Sequence, residues 1–418
     1  MGRAAKMWMW NRRVTKLLLY ATLFLPYAAS FAPILAPAAK AKSGRTDLSL
    51  STTNEDSSGG KSPSTDGYNE SMLDEARDML AISDMVYDFT ALRRLARAKN
   101  NTELSQKLSV PQKVSTVVPV IWENLDLLKG KCMIEKDSMW QGYLSEDESD
   151  QHSGDSGSEI ILLSDSKEDA RISCVYGVGV NHNLKRLTVW FRGTEMDDGN
   201  RGATWGKNLD MELRLEENPI DDMCDETPTV HVMRGWMRAL LGRRSKIINF
   251  LRKYKEENPR TRDYPLFVTG HSLGGSLATL FGYFLAQEED ITANKPVTLY
   301  TFAAPPVGDA DFGKVFSRLE DDGKLRYARI FNRDDVVPHF YSLSKHTHVG
   351  MGIELHMEGS GVTNNDSSIW NVVRGFKDLK KADREHSLSQ AFDYMGLHSD
   401  SLDEMSLEEM YREKKRIG

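Results

Sequence analysis

Cysteine is nearly missing from this chain. Its 418 residues hold three, Cys132, Cys174 and Cys224, an odd number without CxxC spacing, so neither a disulfide framework nor a zinc site is implied. No acidic residue occurs before Asp47, although the chain carries 61 Asp and Glu. An acid-free N-terminus of this length is a targeting signature. With residues 1–46 set aside, 46 basic residues face 61 acidic ones, a net charge near −15. A body that acidic repels phosphate backbones, which excludes nucleic acid as a partner. There is no internal repeat either, so a repeat array is excluded.

In the acid-free stretch, Arg3, Lys6, Arg12, Arg13 and Lys16 precede an apolar run over residues 17–25, the order of an n-region and an h-region. Ala28 and Ser30 are small residues three and one places before Phe31, so cleavage of a signal peptide before Phe31 is expected. The uncharged run 17–39 is also long enough for a membrane anchor, but Pro26, Pro33 and Pro37 oppose a single straight helix. A surface amphipathic segment is a third reading. After Phe31 the chain is rich in Ala, Ser and Thr with Lys40, Lys42 and Arg45, a transit-type composition. Ala-Ser-Phe-Ala-Pro at 29–33 resembles the bipartite plastid presequences of algae with secondary plastids. Entry into the secretory pathway and then a plastid is the expectation, with the endoplasmic reticulum, a membrane anchor or secretion as alternatives.

Residues 47–71 are polar and poor in large apolar side chains, so they read as a disordered linker. Apolar residues at three- and four-residue steps over 72–99 predict a long amphipathic helix. An acidic, Ser-rich patch at 145–159 reads as an exposed loop. Short β-branched or aromatic runs at 160–163, 172–180, 187–191, 266–269, 297–302 and 327–331 predict strands. Helical patterns lie between them, notably at 236–254 and 276–287. Strands alternating with helices imply a mainly parallel central sheet with helices on both faces, an α/β class. One domain over 72–400 is expected, followed by a charged helical tail at 401–418.

Gly270-His271-Ser272-Leu273-Gly274 is a G-x-S-x-G pentapeptide. Alone it is a weak signal, but a strand pattern precedes it and a helix pattern follows it, as a nucleophile elbow requires. Gly270, Gly274 and Gly275 supply the room that a sharp strand-to-helix turn needs. A serine hydroxyl is a poor nucleophile until a base takes its proton, and the base needs an orienting carboxylate. In this arrangement the carboxylate and then the histidine follow the serine in the chain. The carboxylate candidates are Asp335, beside a rigid Val336-Val337-Pro338 segment, and its neighbour Asp334. His339, His346, His348, His356, His386 and His398 all follow Ser272, and spacing alone selects none of them.

The stretch Val268-Thr269-Gly270-His271-Ser272-Leu273-Gly274-Gly275-Ser276-Leu277-Ala278 resembles the fungal-type class 3 lipase family. So do Tyr300-Thr301-Phe302-Ala303-Ala304-Pro305-Pro306-Val307-Gly308, Asn332-x-x-Asp335-x-Val337-Pro338 and Leu187-Thr188-Val189-Trp190-Phe191-Arg192-Gly193-Thr194. The resemblance covers residues 185–395. It implies an α/β-hydrolase fold and a serine hydrolase that cleaves acyl esters of glycerolipids through an acyl-enzyme. Ser272 would be the nucleophile, Asp335 the acid and His386 the base. The backbone N–H groups of Thr194 and Leu273 would form the oxyanion hole. His348-Val349-Gly350 matches a position that is structural in the relatives.

Triacylglycerol lipase-like activity is the first expectation, with diacylglycerol, phospholipid and galactolipid substrates open. An esterase or acyltransferase on other esters, or a non-catalytic scaffold, are the alternatives. No metal or organic cofactor is called for, and the expected partner is lipid at a membrane or lipid-droplet surface. Two departures from the family stand out. The lid position, residues 195–203, is polar, and Met233 occupies a place where relatives often have a histidine, with packing but no polar contact expected of it.

Overall fold

Ser71 starts the first helix by accepting the Asp74 N–H on its hydroxyl at 3.1 Å, which satisfies one of the orphan donors of a helix N-terminus. Asp74 and Glu75 in the first turn and Arg97 in the last complement the helix dipole. The computed structural model describes residues 71–128, 157–166, 169, 174–194, 215–217, 230–339, 346–357, 359–363, 384–397, 399 and 406–417. All of them belong to one compact unit, Tyr68–Gly418. The leader, the linker up to residue 70, most of the acidic Ser-rich loop and the lid position lie outside the described residues.

The helices used below are α1 (Met72–Ala98), α2 (Val114–Trp122), α3 (Arg234–Glu257), α4 (Leu273–Leu285), α5 (Ala310–Asp321), α6 (Leu388–Leu397) and α7 (Leu407–Ile417). The strands are β1 (Gln112–Lys113), β2 (Ser158–Ser164), β3 (Tyr176–Asn181), β4 (Arg186–Phe191), β5 (Leu215–Glu217), β6 (His231–Met233), β7 (Leu266–His271), β8 (Val297–Phe302), β9 (Leu325–Asn332), β10 (Met351–His356) and β11 (Gly359–Thr363). Among the described residues β5 pairs only with β6, and the other nine form one sheet in the order β1-β2-β3-β4-β7-β8-β9-β10-β11.

The central strands β4, β7, β8, β9 and β10 run parallel. The antiparallel pairs lie toward the two edges. Side chains alternate across the sheet as a pleated strand dictates. Leu187, Val189, Leu266, Val268, Val297, Leu299, Leu325 and Tyr327 pack on one face with α3, α4 and α5. Trp190, Phe267, Tyr300, Phe302, Ala328 and Ile330 pack on the other with α1, α2, α6 and α7. The sheet is therefore covered on both faces, and the molecule has the α/β-hydrolase fold.

Two elements differ from the sequence expectation. Helix α1 is not amphipathic, because every residue from 83 to 90 is buried, including Ser83, Asp84, Asp88 and Thr90. Its polar groups reach into the sheet. Ser83 Oγ lies 3.0 Å from Thr269 Oγ1, and Thr90 Oγ1 accepts from Arg192 Nη1 at 2.8 Å. Glu75 accepts from the Tyr300 hydroxyl at 2.6 Å. The C-terminal segment is helical and does not trail from the domain. Leu407 and Tyr411 are buried, the Tyr411 hydroxyl bonds the Glu320 carboxylate, and it accepts the Tyr327 N–H at 2.9 Å.

Leu280 of α4 is wholly buried in the core, whereas Leu397 at the end of α6 is 64% exposed. In urea unfolding, Leu280→Ala should lower stability by about 2–5 kcal/mol, the cost of a core cavity. Leu397→Ala should stay within about 0.5 kcal/mol.

Candidate active site

Parallel strands bring their carboxyl ends to one edge of a sheet, and the loops leaving that edge carry the functional groups. Here β4 delivers Arg192, Gly193 and Thr194, β7 delivers Ser272, and β9 delivers Asp335. Ser272 sits between the last residue of β7 and the first of α4 with φ 56° and ψ −126°, a backbone conformation that a non-glycine residue rarely adopts. Its N–H donates to the Phe302 carbonyl at 2.9 Å, which carries the β7–β8 ladder into the turn.

The glycines at the turn are required by contact. A side chain on Gly270 would strike the Gly274 carbonyl, and one on Gly274 would strike the Phe191 carbonyl and the Gly193 nitrogen. The start of α4 therefore abuts the loop after β4. This seats Leu273, whose N–H belongs to a first helical turn without intrahelical acceptors, beside the loop that carries Thr194. Thr194 is half-buried.

The structure joins the three side chains singled out in the sequence. His386 Nδ1 is 2.8 Å from Asp335 Oδ2, and His386 Nε2 is 2.9 Å from Ser272 Oγ. All three are buried, with Asp335 fully enclosed. A carboxylate can only accept, so the imidazole carries its proton on Nδ1. Nε2 then has a free lone pair toward the serine hydroxyl. The other Asp335 oxygen accepts the Val337 N–H at 2.9 Å, so the carboxylate is held on both sides. Asn332, at the end of β9, donates from Nδ2 to the Glu385 carbonyl at 2.6 Å and anchors the residue before the base.

The competing candidates lie elsewhere. Asp334 is half-buried, and the bond from His386 goes to Asp335. His348 donates from Nε2 to the Pro338 carbonyl at 2.8 Å, and burial holds it well below the usual imidazole range. It acts as a brace for the loop that carries Asp335. His339 is buried edge-on against Phe331, and His398 lies outside the described residues. Met233 corrects an expectation, because its sulfur receives His346 Nε2 at 2.8 Å. A thioether is a weak acceptor, and burial pushes His346 down to about 4, so the neutral ring has one N–H to give.

Two residues at this site carried no role in the sequence reading. His271 is buried, with Nε2 2.8 Å from the His386 carbonyl and Nδ1 3.0 Å from the Tyr87 hydroxyl. Tyr87 lies 184 residues before His271, so no local spacing links them. The one available signal was a polar stripe, Ser83, Tyr87 and Thr90, within the apolar pattern of α1.

Comparison with known proteins agrees with the motif resemblance. Residues 188–345 match the family model Lipase (class 3). Phospholipase A1-IIgamma of Arabidopsis thaliana is 41% identical over 100 residues, 21% of this chain and 20% of the relative. Phospholipase A1-II 4 of Oryza sativa subsp. japonica is 31% identical over 194 residues, 41% of this chain and 43% of the relative. The matches thus span less than half the length of these relatives. Among solved structures, a triacylglycerol lipase from Penicillium expansum aligns with TM-score 0.39 and 22% identity, covering 47% of this chain and 70% of that one.

Burial lowers His271 to about 3. Its folded value lies below the unfolded one near 6.5, so the unfolded chain takes up the proton first as pH falls. This contribution is complete above pH 6.5 and is lost progressively as the pH drops toward 3. For His271 alone the loss at pH 5 is on the order of 2 kcal/mol. Urea midpoints at pH 7.5 and pH 5 should fall in that order, and a flat profile would contradict the buried neutral ring.

Proposed function

We propose that this chain, which carries a class 3 lipase segment, hydrolyses acyl ester bonds of glycerolipids by way of an acyl-enzyme. The observation that carries the reading is the continuous hydrogen-bonded line from Ser272 through His386 to a fully buried Asp335, set on a strained strand-to-helix turn. Ser272 Oγ attacks the acyl carbonyl while His386 Nε2 takes its proton. The imidazolium that forms is stabilised by Asp335 and then gives its proton to the leaving alkoxide. Water, deprotonated by the same nitrogen, releases the fatty acid and regenerates the serine.

The oxyanion formed at each step falls to the backbone N–H groups of Leu273 and Thr194. One such donor typically contributes about a hundredfold to a thousandfold in rate. The N-terminus of α4 adds the positive end of its dipole. Asp335 and not Asp334 is the acid, and His386 and not His348 is the base. This chemistry needs neither a metal nor an organic cofactor. The partial relatives named phospholipase A1 make a phospholipid acyl ester the first substrate to test, ahead of triacylglycerol, diacylglycerol and galactolipid.

Purified protein should label with a fluorophosphonate probe and release fatty acid from at least one member of a panel of those four lipid classes. Ser272→Ala should abolish both. In a triad that acts as a unit, loss of the base costs nearly as much as loss of the serine, on the order of a millionfold in the best-studied protease. Folded protein that neither labels nor cleaves any ester would support a scaffold that kept the fold.

Asp335→Asn should lower turnover of a p-nitrophenyl ester by roughly ten-thousandfold, and Asp334→Asn by less than about tenfold. His386→Ala should lose activity in protein that still folds, with a lower melting point because the buried Asp335 carboxylate loses its partner. His348→Ala should lose stability with its chemistry intact, since it unmakes a buried hydrogen bond. Comparable small effects of both aspartate changes would sink the assignment of the acid.

A further inference from the structure

A general base must be held in place as well as supplied, because a displacement of about 1 Å at a reacting group can cost a hundredfold in rate. His386 stands on a short segment before α6, far in the chain from the strand that carries the nucleophile. What fixes that segment is therefore a separate question from what the imidazole does.

Three distances answer it. His271 Nε2 is 2.8 Å from the His386 carbonyl, His271 Nδ1 is 3.0 Å from the Tyr87 hydroxyl, and the rings of His271 and His386 are 4.7 Å apart. The protonation pattern follows from the partners. A carbonyl can only accept, so His271 carries N–H at Nε2, and its neutral ring accepts the Tyr87 O–H at Nδ1. The phenol thus selects the tautomer that can hold the base. Tyr87 also closes over the loop after β4, since a side chain added to Gly193 would strike its hydroxyl and the His271 carbonyl. Helix α1, the nucleophile turn, the loop with Thr194 and the base segment all meet at this pair.

We infer that His271 and Tyr87 form a positioning relay, in which the Tyr87 hydroxyl fixes His271 and the His271 N–H fixes the backbone of His386 at hydrogen-bonding distance from Ser272. The inference rests on the proposed triad and adds two residues to it. Neither touches the reacting atoms. The relay also has an electrostatic requirement. When His386 becomes an imidazolium during turnover, a second positive ring 4.7 Å away would oppose it, and burial keeps His271 neutral at pH 7.

The test compares His271→Leu, His271→Gln and Tyr87→Phe in the full chain, with Ser272→Ala as a control and a melting curve for each variant. His271→Leu removes the donor, whereas His271→Gln offers an amide N–H at nearly the same reach. With a soluble p-nitrophenyl ester, His271→Leu should lower kcat roughly ten- to a hundredfold with KM within about twofold. His271→Gln should recover most of that loss, and Tyr87→Phe should fall between them. A residue that only filled space would respond to volume, and the amide would then give no rescue.

Native kcat in folded His271→Leu, or a His271→Gln variant as slow as His271→Leu, overturns the relay. If His271→Leu fails to fold, Tyr87→Phe decides, because it removes a single hydroxyl. Native kcat in that variant overturns the relay as well. Persistent hydrolysis by Ser272→Ala would instead overturn the proposed nucleophile, so the two failures are told apart.

Discussion

The bond from His386 Nδ1 to Asp335 Oδ2 is the constraint on which the rest of the site depends. A neutral imidazole has one N–H, and whichever nitrogen holds it cannot accept a proton. By taking it at Nδ1, Asp335 leaves Nε2 open toward Ser272 at 2.9 Å. A buried carboxylate is costly unless both oxygens are bonded. The Val337 N–H satisfies the second oxygen, and the loop bearing Val337 is braced in turn by His348 through the Pro338 carbonyl. The triad is thus supported by histidines that take no part in proton transfer.

The nucleophile makes a second demand. A non-glycine residue at φ 56° costs on the order of 1–3 kcal/mol, and the surroundings must impose it. They do so from both ends. The Ser272 N–H is fixed on the β8 carbonyl of Phe302, and every residue of α4 from Leu273 to Leu285 is buried. A buried helix of thirteen residues cannot swing to relieve one turn, so the strain stays at Ser272 and keeps its hydroxyl directed at the base.

Local features of this site were readable in the sequence because local geometry dictated them. The strand over 297–302, the run into Gly270 and the helix after it are all set by short-range pattern and by the space glycine leaves. Strand β10 and helix α5 were not read, although Ile353, Leu355, Phe312 and Phe316 are core residues and local signals framed both. Asp309 caps α5, Phe312, Val315, Phe316 and Leu319 recur at helical spacing, and Gly323 and Gly350 stand after α5 and before β10. The amphipathic reading of α1 failed for a tertiary reason. Its polar residues are buried against polar groups of β4, β7 and β8, a pairing across 186 residues for Ser83 and Thr269. His386 was selected by resemblance, since six histidines follow Ser272 and spacing separates none of them. What the sequence lacked was the partner of each group, and the partner defines the tautomer.

The crowding of histidines raises a final point about charge. His271, His339, His346 and His348 are all held below the usual imidazole range, with burial the first cause in each case. An apolar setting disfavours the charged form of any imidazole unless an opposite charge compensates. His386 is the one with a carboxylate at 2.8 Å. His348 instead faces a carbonyl, His346 a sulfur and His271 a carbonyl and a phenol, none of which carries a full negative charge. What sets His386 apart is the Asp335 carboxylate that its Nδ1 faces directly. Selectivity for the base therefore resides in where the sheet places Asp335, at the carboxyl end of β9, as much as in the histidine itself.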